Sequence, residues 1–105
     1  MQFKTHNQTY VRTHGTSLQS YITTDYAKLK KAFGKPNCGD EYKIDAEWDI
    51  EFSDGTVATV YNWKDGKAYL GADGTPKTKI TTWHIGGKSQ DAVDRVFTVL
   101  EGITL

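Results

Sequence analysis

The strictest constraint on how this chain folds lies between Tyr42 and Phe52, where Tyr42, Ile44, Ala46, Trp48, Ile50 and Phe52 alternate with Lys43, Asp45, Glu47, Asp49 and Glu51. Side chains on a strand point to opposite faces in turn, so this period of two predicts a β-strand with one buried and one wet face. Ser53-Asp54-Gly55-Thr56 is a tight-turn sequence, and residues 57–63 read as the antiparallel partner in a hairpin. This partner is apolar on both sides, with Val57, Thr59, Tyr61 and Trp63 on one and Ala58 and Val60 on the other, which predicts a central strand.

Two helical stripes supply the layer that such a sheet needs. Tyr26, Leu29, Ala32 and Phe33 recur at helical spacing opposite Lys28, Lys30 and Lys31. Thr23 or Thr24 is placed to cap that helix, Asp25 suits its positive end, and Gly34 followed by Pro36 stops it. A second helix, capped by Ser89 and stopped by Gly102, puts Ala92, Val93, Val96, Phe97 and Leu100 on one face. Further strands are predicted over 16–24 and 80–85, with a short rung at Tyr69-Leu70 and a loop over 72–76. Residues 1–14 are polar, with Phe3, Tyr10 and Val11 as their only anchors, and read as a loosely held arm or a short edge strand. The expected fold is a two-layer α+β domain. An antiparallel sheet of three to five strands has both amphipathic helices packed on one face, and Ile44, Ile50, Leu29, Val93 and Phe97 share the core.

Length and charge narrow the function. A chain of 105 residues is expected to form one domain. Thirteen Lys and Arg balance thirteen Asp and Glu, which argues against general binding to duplex DNA, where a surplus of cations must neutralise phosphates. No apolar run approaches the ~18 residues of a membrane span and no signal-peptide core opens the sequence, so neither a membrane partner nor export is expected. The lone Cys38 has no disulfide partner and suits a reducing cytosol. His6, His14 and His84 are too scattered to complete a zinc set with it, and no metal or cofactor is expected.

Several segments carry candidate chemistry. Gly86-Gly87-Lys88-Ser89 sits at a strand-to-helix junction, where free helix amides and a lysine attract anions. A full phosphate loop needs a glycine where this chain has Thr82, so the plain alternative is a glycine turn and a serine cap. His84 alternates with Trp83 and Ile85 and points away from both, as a surface residue or a base. Asp45, Glu47, Asp49 and Glu51 form a carboxylate row, spaced roughly 6.5–7 Å along the strand, that reads as a solvated face before it reads as paired acid–base groups. Thr16, Ser17 and Gln19 follow Gly15 as a turn or a binding loop; no second glycine makes Ser17 a nucleophile elbow. Trp48, Trp63 and Trp83 are read as core residues, of which one or two are placed to line a pocket for a planar ring.

The segments Gly15-Thr16-Ser17-Leu18-Gln19, Ala32-Phe33-Gly34-Lys35-Pro36, Glu47-Trp48, the run from Asp54 through Asn62-Trp63-Lys64, and Trp83-His84-Ile85-Gly86-Gly87 resemble a family of small proteins encoded by tailed bacteriophages and other large DNA viruses. The chain departs from that pattern at Ser20, where glycine is usual, and at Lys88, where His or Asn is common. The resemblance implies a viral origin and a place in the cytoplasm of an infected host cell. With no catalytic constellation in view, the expectation is a small non-enzymatic binding protein acting during infection, a counter-defence inhibitor that binds a host protein or sequesters a nucleotide-like signal. The ligand site is expected from Thr16, Ser17, Gln19, Trp63, His84, Gly86, Gly87, Lys88 and Ser89. The alternatives are an enzyme acting on a nucleotide or phosphoester, with His84 or a carboxylate as base, and a virion component. Self-association into a homo-oligomer is left open.

Overall fold

A computed structural model of the chain describes residues 2–37 and 43–103. Among these residues five strands, β1 (Phe3–Thr5), β2 (Ser17–Thr23), β3 (Glu47–Phe52), β4 (Val57–Tyr61) and β5 (Thr82–Gly87), form one sheet in the order β1-β3-β4-β5-β2. Every neighbouring pair is antiparallel, and β4 is the central strand. Helix α1 (Tyr26–Phe33) follows the edge strand β2, a single turn α2 (Lys67–Leu70) follows β4, and α3 (Gln90–Glu101) follows β5. No helix among the described residues is long and apolar enough to cross a membrane.

The architecture is the two-layer α+β arrangement that the alternation and the helical stripes imply. One face of the sheet sends Trp48, Ile50, Phe52, Ala58, Val60, Trp83, Ile85 and Ile22 into a single core. Leu29 and Phe33 of α1 and Ala92, Val93, Val96 and Leu100 of α3 cover it. Trp48 and Trp83 meet edge to face at 5.5 Å, a favoured aromatic geometry. Each spends its indole N–H on a carbonyl, that of Gly34 at 2.7 Å and that of Ile80 at 3.2 Å, so neither ring buries an unpaired donor. At the opposite edge Phe3 of β1 packs against Phe33 and Phe52, and Val11 is buried while Tyr10 stands in solvent.

Several sequence-based expectations are corrected. The hairpin strands are shorter than 42–52 and 57–63, because Asn62 interrupts the ladder. Its Oδ1 accepts from the amides of Asp45 (2.8 Å) and Ala46 (3.1 Å), which would otherwise continue the strand. Ile44 is buried, but it lies apart from the main core, beside Trp63 on the other face. Phe97 is 38% exposed. Ala92, Val93, Val96 and Leu100 carry the contact with the sheet, and Phe97 falls on the flank of α3 beside the edge strand β2, where no further strand covers it. Tyr69 and Leu70 belong to the helical turn α2, closed by Gly71 at φ 66°, instead of a strand rung. A 3-10 turn at Lys77–Lys79 delays β5 to Thr82. The cap of α1 is Asp25, in place of Thr23 or Thr24: its carboxylate accepts from the Lys28 amide at 2.8 Å, while Thr24 still donates its amide to the Thr81 carbonyl beside β5. Tyr42 and Cys38 lie outside the described residues.

Candidate functional site

Residues directly opposite on neighbouring antiparallel strands share a face. On the face turned away from the helices the register therefore builds a row across four strands: Glu47 of β3 opposite Tyr61 of β4, Tyr61 opposite His84 of β5, and His84 opposite Tyr21 of β2. The rings touch along the row. Tyr61 and His84 have centroids 5.3 Å apart, Tyr21 and His84 4.8 Å apart, and Trp63, just past the end of β4, lies 6.4 Å from Tyr61. Tyr21 is 54% and Trp63 39% exposed, so ring surface faces solvent.

Charge gathers at the Trp63 end. The ammonium groups of Lys43 and Lys64 sit 5.3 and 5.9 Å from the Trp63 ring centroid, within cation–π range. The two lysines are tied through the main chain, since the Lys64 amide donates to the Lys43 carbonyl at 2.8 Å. Lys64 is also the single non-glycine residue at positive φ (61°) among those described, a strained conformation of the kind found at ligand sites. Asn62 holds this end together. Besides accepting from Asp45 and Ala46, its side-chain amide donates to the carboxylates of Asp45 and Asp65, each at 3.0 Å. It is fully buried and bonds both the segment carrying Lys43 and Ile44 and the loop carrying Lys64.

Between these parts lies a pocket of about 210 Å³, lined by Thr13, Thr16, Ser17, Ile44, Glu47, Thr59, Tyr61, Trp63 and Gly86. Glu47 supplies the one acidic group in that lining. Its backbone is bonded on one side to Asn37, through amide–carbonyl distances of 2.8 and 2.9 Å, and paired with Tyr61 on the other. Burial, reinforced by the Glu47 carboxylate and by Tyr21, pushes the Tyr61 phenol above its usual range and keeps it a neutral donor. Burial also pulls the His84 imidazole below its usual range, partly offset by Asp65, so at neutral pH it is an uncharged aromatic ring.

The sequence-predicted site residues divide into two groups. Thr16, Ser17, Trp63 and Gly86 converge on the pocket, and His84 stands beside it against Tyr61. Gln19 forms a bulge in β2 and donates to the Gly87 carbonyl at 2.9 Å, stitching the edge strand to β5. The remaining three lie at the start of α3. Gly87 faces the helix layer, where an added Cβ would stand 2.4 Å from the Cβ of Ala92, so this glycine admits the close approach of α3. Ser89 accepts from the Asp91 amide at 3.3 Å as the helix cap, and Lys88 extends alongside Gly15. Tyr21, Lys43, Glu47, Tyr61 and Asn62 complete the site without having been singled out as ligand residues. Glu47 sat on the wet face of its predicted strand and Tyr61 shared a strand face with Trp63, which was the available signal; Asn62 left none. No family model matches the chain, and no curated protein matches it.

Proposed function

We propose that this protein is a non-enzymatic binding protein that holds a nucleotide-like ligand on the sheet face, with a planar base against Tyr61 and Trp63 and an anionic group toward Lys43 and Lys64. The observation that carries this reading is Trp63, exposed at the wall of the pocket with two ammonium groups at its ring. Aromatic side chains on an open sheet are effective stacking platforms for bases. The pocket, at about 210 Å³, is smaller than the roughly 300–1,000 Å³ of sites that enclose a whole drug-sized ligand, which fits a base held inside with the rest of the molecule outside. An exposed cation–π contact is worth only about 0.5–1 kcal/mol. A stacking base can therefore displace an ammonium from Trp63 and leave it free to meet a phosphate.

The resemblance to viral proteins gives this binding a purpose: removing a nucleotide-like signal from a host defence in the cytoplasm of an infected cell. Zero net charge suits a small ligand better than a long polyanion. The test is calorimetric titration with a panel of mononucleotides and cyclic dinucleotides, followed by chromatography of the recovered ligand. Saturable binding with return of the unchanged molecule is expected. Absence of binding at millimolar ligand would overturn the reading, and conversion of the ligand would show an enzyme using His84 or Glu47 as its base.

A further inference from the structure

The pocket holds a single carboxylate, and the bases differ sharply in what they can offer it. An ionised carboxylate only accepts hydrogen bonds, and its two oxygens suit two adjacent N–H donors. Among the common bases, guanine presents such a pair on one edge, N1–H beside the N2 amino group. Adenine and cytosine set an amino donor next to a ring-nitrogen lone pair, and uracil sets its single N–H between two carbonyl oxygens. Those arrangements turn a lone pair toward the carboxylate and are repelled. We infer that Glu47 makes the site selective for guanine, reading its N1–H and N2–H edge while the ring stacks on Trp63 beside Tyr61, whose ring stands at 79° to the indole.

The geometry supports this assignment in three ways. Glu47 is the direct cross-strand neighbour of Tyr61 and lines the same pocket as Tyr61 and Trp63, which puts it beside a base held there. Its backbone is bonded on both sides, to Asn37 and across to β4, which fixes where the carboxylate originates. The rest of the polar lining consists of Thr13, Thr16, Ser17 and Thr59; the Thr16 hydroxyl donates to the Thr13 carbonyl at 2.8 Å, which leaves those of Thr13, Ser17 and Thr59 to donate to the guanine O6 and N7 acceptors. Glu47 already takes part in contacts of its own, and a guanine edge would join or exchange with them. Lys43 and Lys64 at the outer wall offset its charge where a phosphate would lie.

This inference rests on the proposal that the sheet face takes a nucleotide, and the test separates the two. GMP, IMP and AMP are titrated calorimetrically into the intact chain and into Glu47→Gln, with folding checked by thermal melting. IMP keeps N1–H and lacks the N2 amino group. The wild type is expected to bind GMP about tenfold or more tightly than AMP, the scale of discrimination given by a bidentate base contact, with IMP between them. In Glu47→Gln the affinity for GMP is expected to fall about tenfold while that for AMP changes less than twofold. Binding of all three with equal affinity, or a GMP preference that survives Glu47→Gln, would overturn the guanine assignment and leave nucleotide binding standing. Binding of none would overturn both. Should Glu47→Gln fail to fold, the comparison of GMP with IMP and AMP on the wild type decides.

Discussion

Tyr61 and His84 face each other across the two central strands with ring centroids 5.3 Å apart, and this contact joins the two halves of the aromatic row. It exists because β4 and β5 pair in a register that puts both residues on the face away from the helices, while Val60 and Ile85, one position along, fill the core. The same pairing that buries the core thus exposes a platform of rings.

His84 should titrate below 6.5. Burial disfavours its charged form, and Asp65 offsets this only in part. Since its folded pKa lies below the unfolded value, its neutral form contributes stability above pH 6.5, and that contribution is lost as pH falls from 6.5 through the folded pKa. NMR titration of the imidazole Cε1–H gives the midpoint directly, and a value at or above 6.5 would show that burial does not outweigh the pull of Asp65.

Asp54, in the β3–β4 turn, is paired with Arg95 of α3. The guanidinium hydrogen bond, aided by the Thr56 amide, lowers its pKa to about 2 from 3.8. The stabilising contribution is present above 3.8 and lost as pH falls toward 2. Both side chains are solvent-accessible, so the effect on stability is small. Carboxyl-detected NMR should place Asp54 near pH 2 in the wild type and higher in Arg95→Gln, though still below 3.8 while Thr56 continues to donate to it.

Asn62→Ala should destabilise the fold by about 1–3 kcal/mol, since it removes one hydrogen bond from each of two backbone amides and two carboxylates. Urea unfolding measures the loss. Because Asn62 also anchors the segments around Trp63, the indole emission of the folded variant should shift to longer wavelength; an unchanged spectrum would mean that the pocket is held by other contacts.

The adjacent glycines should respond differently to alanine. At Gly87 the new Cβ would meet the Cβ of Ala92 at 2.4 Å, and neither atom has a torsion that relieves the clash. At Gly86 it would meet Thr59 Oγ1 at 2.4 Å, an atom that can rotate away. Overpacking of this kind costs about 1–3 kcal/mol. Gly87→Ala should fall at the upper end and be partly rescued by Ala92→Gly, as a double-mutant cycle would show.

The layers of this fold were legible in the sequence because they rest on period: two for Trp48, Ile50 and Phe52, and 3.6 for Leu29, Val93 and Val96. Phe97 fitted the same helical stripe and yet lies on its flank, because periodicity locates a face without saying how far the sheet beneath it extends. The site was half legible. Trp63, His84 and Gly86 were visible as residue types in suggestive places, whereas the row from Glu47 to Tyr21 depends on strand register between segments as far apart as β2 and β5. Asn62 could not be found from spacing at all, since its importance lies in hydrogen bonds that tie the nearby Asp65 to Asp45 and Ala46, far back in the chain.

The most direct measurement is a ¹H–¹⁵N NMR titration with GMP that follows the three tryptophan indole N–H signals. Trp48 and Trp83 are buried and bonded to the Gly34 and Ile80 carbonyls, so their signals report the core, while Trp63 reports the sheet face. The expected result is a saturable shift of the Trp63 indole together with the amides of Glu47, Tyr61 and His84, with the other two indoles unmoved. Contradiction would come from no saturable shift at millimolar GMP, or from shifts centred on Gly87 to Asp91 at the start of α3 with Trp63 unchanged.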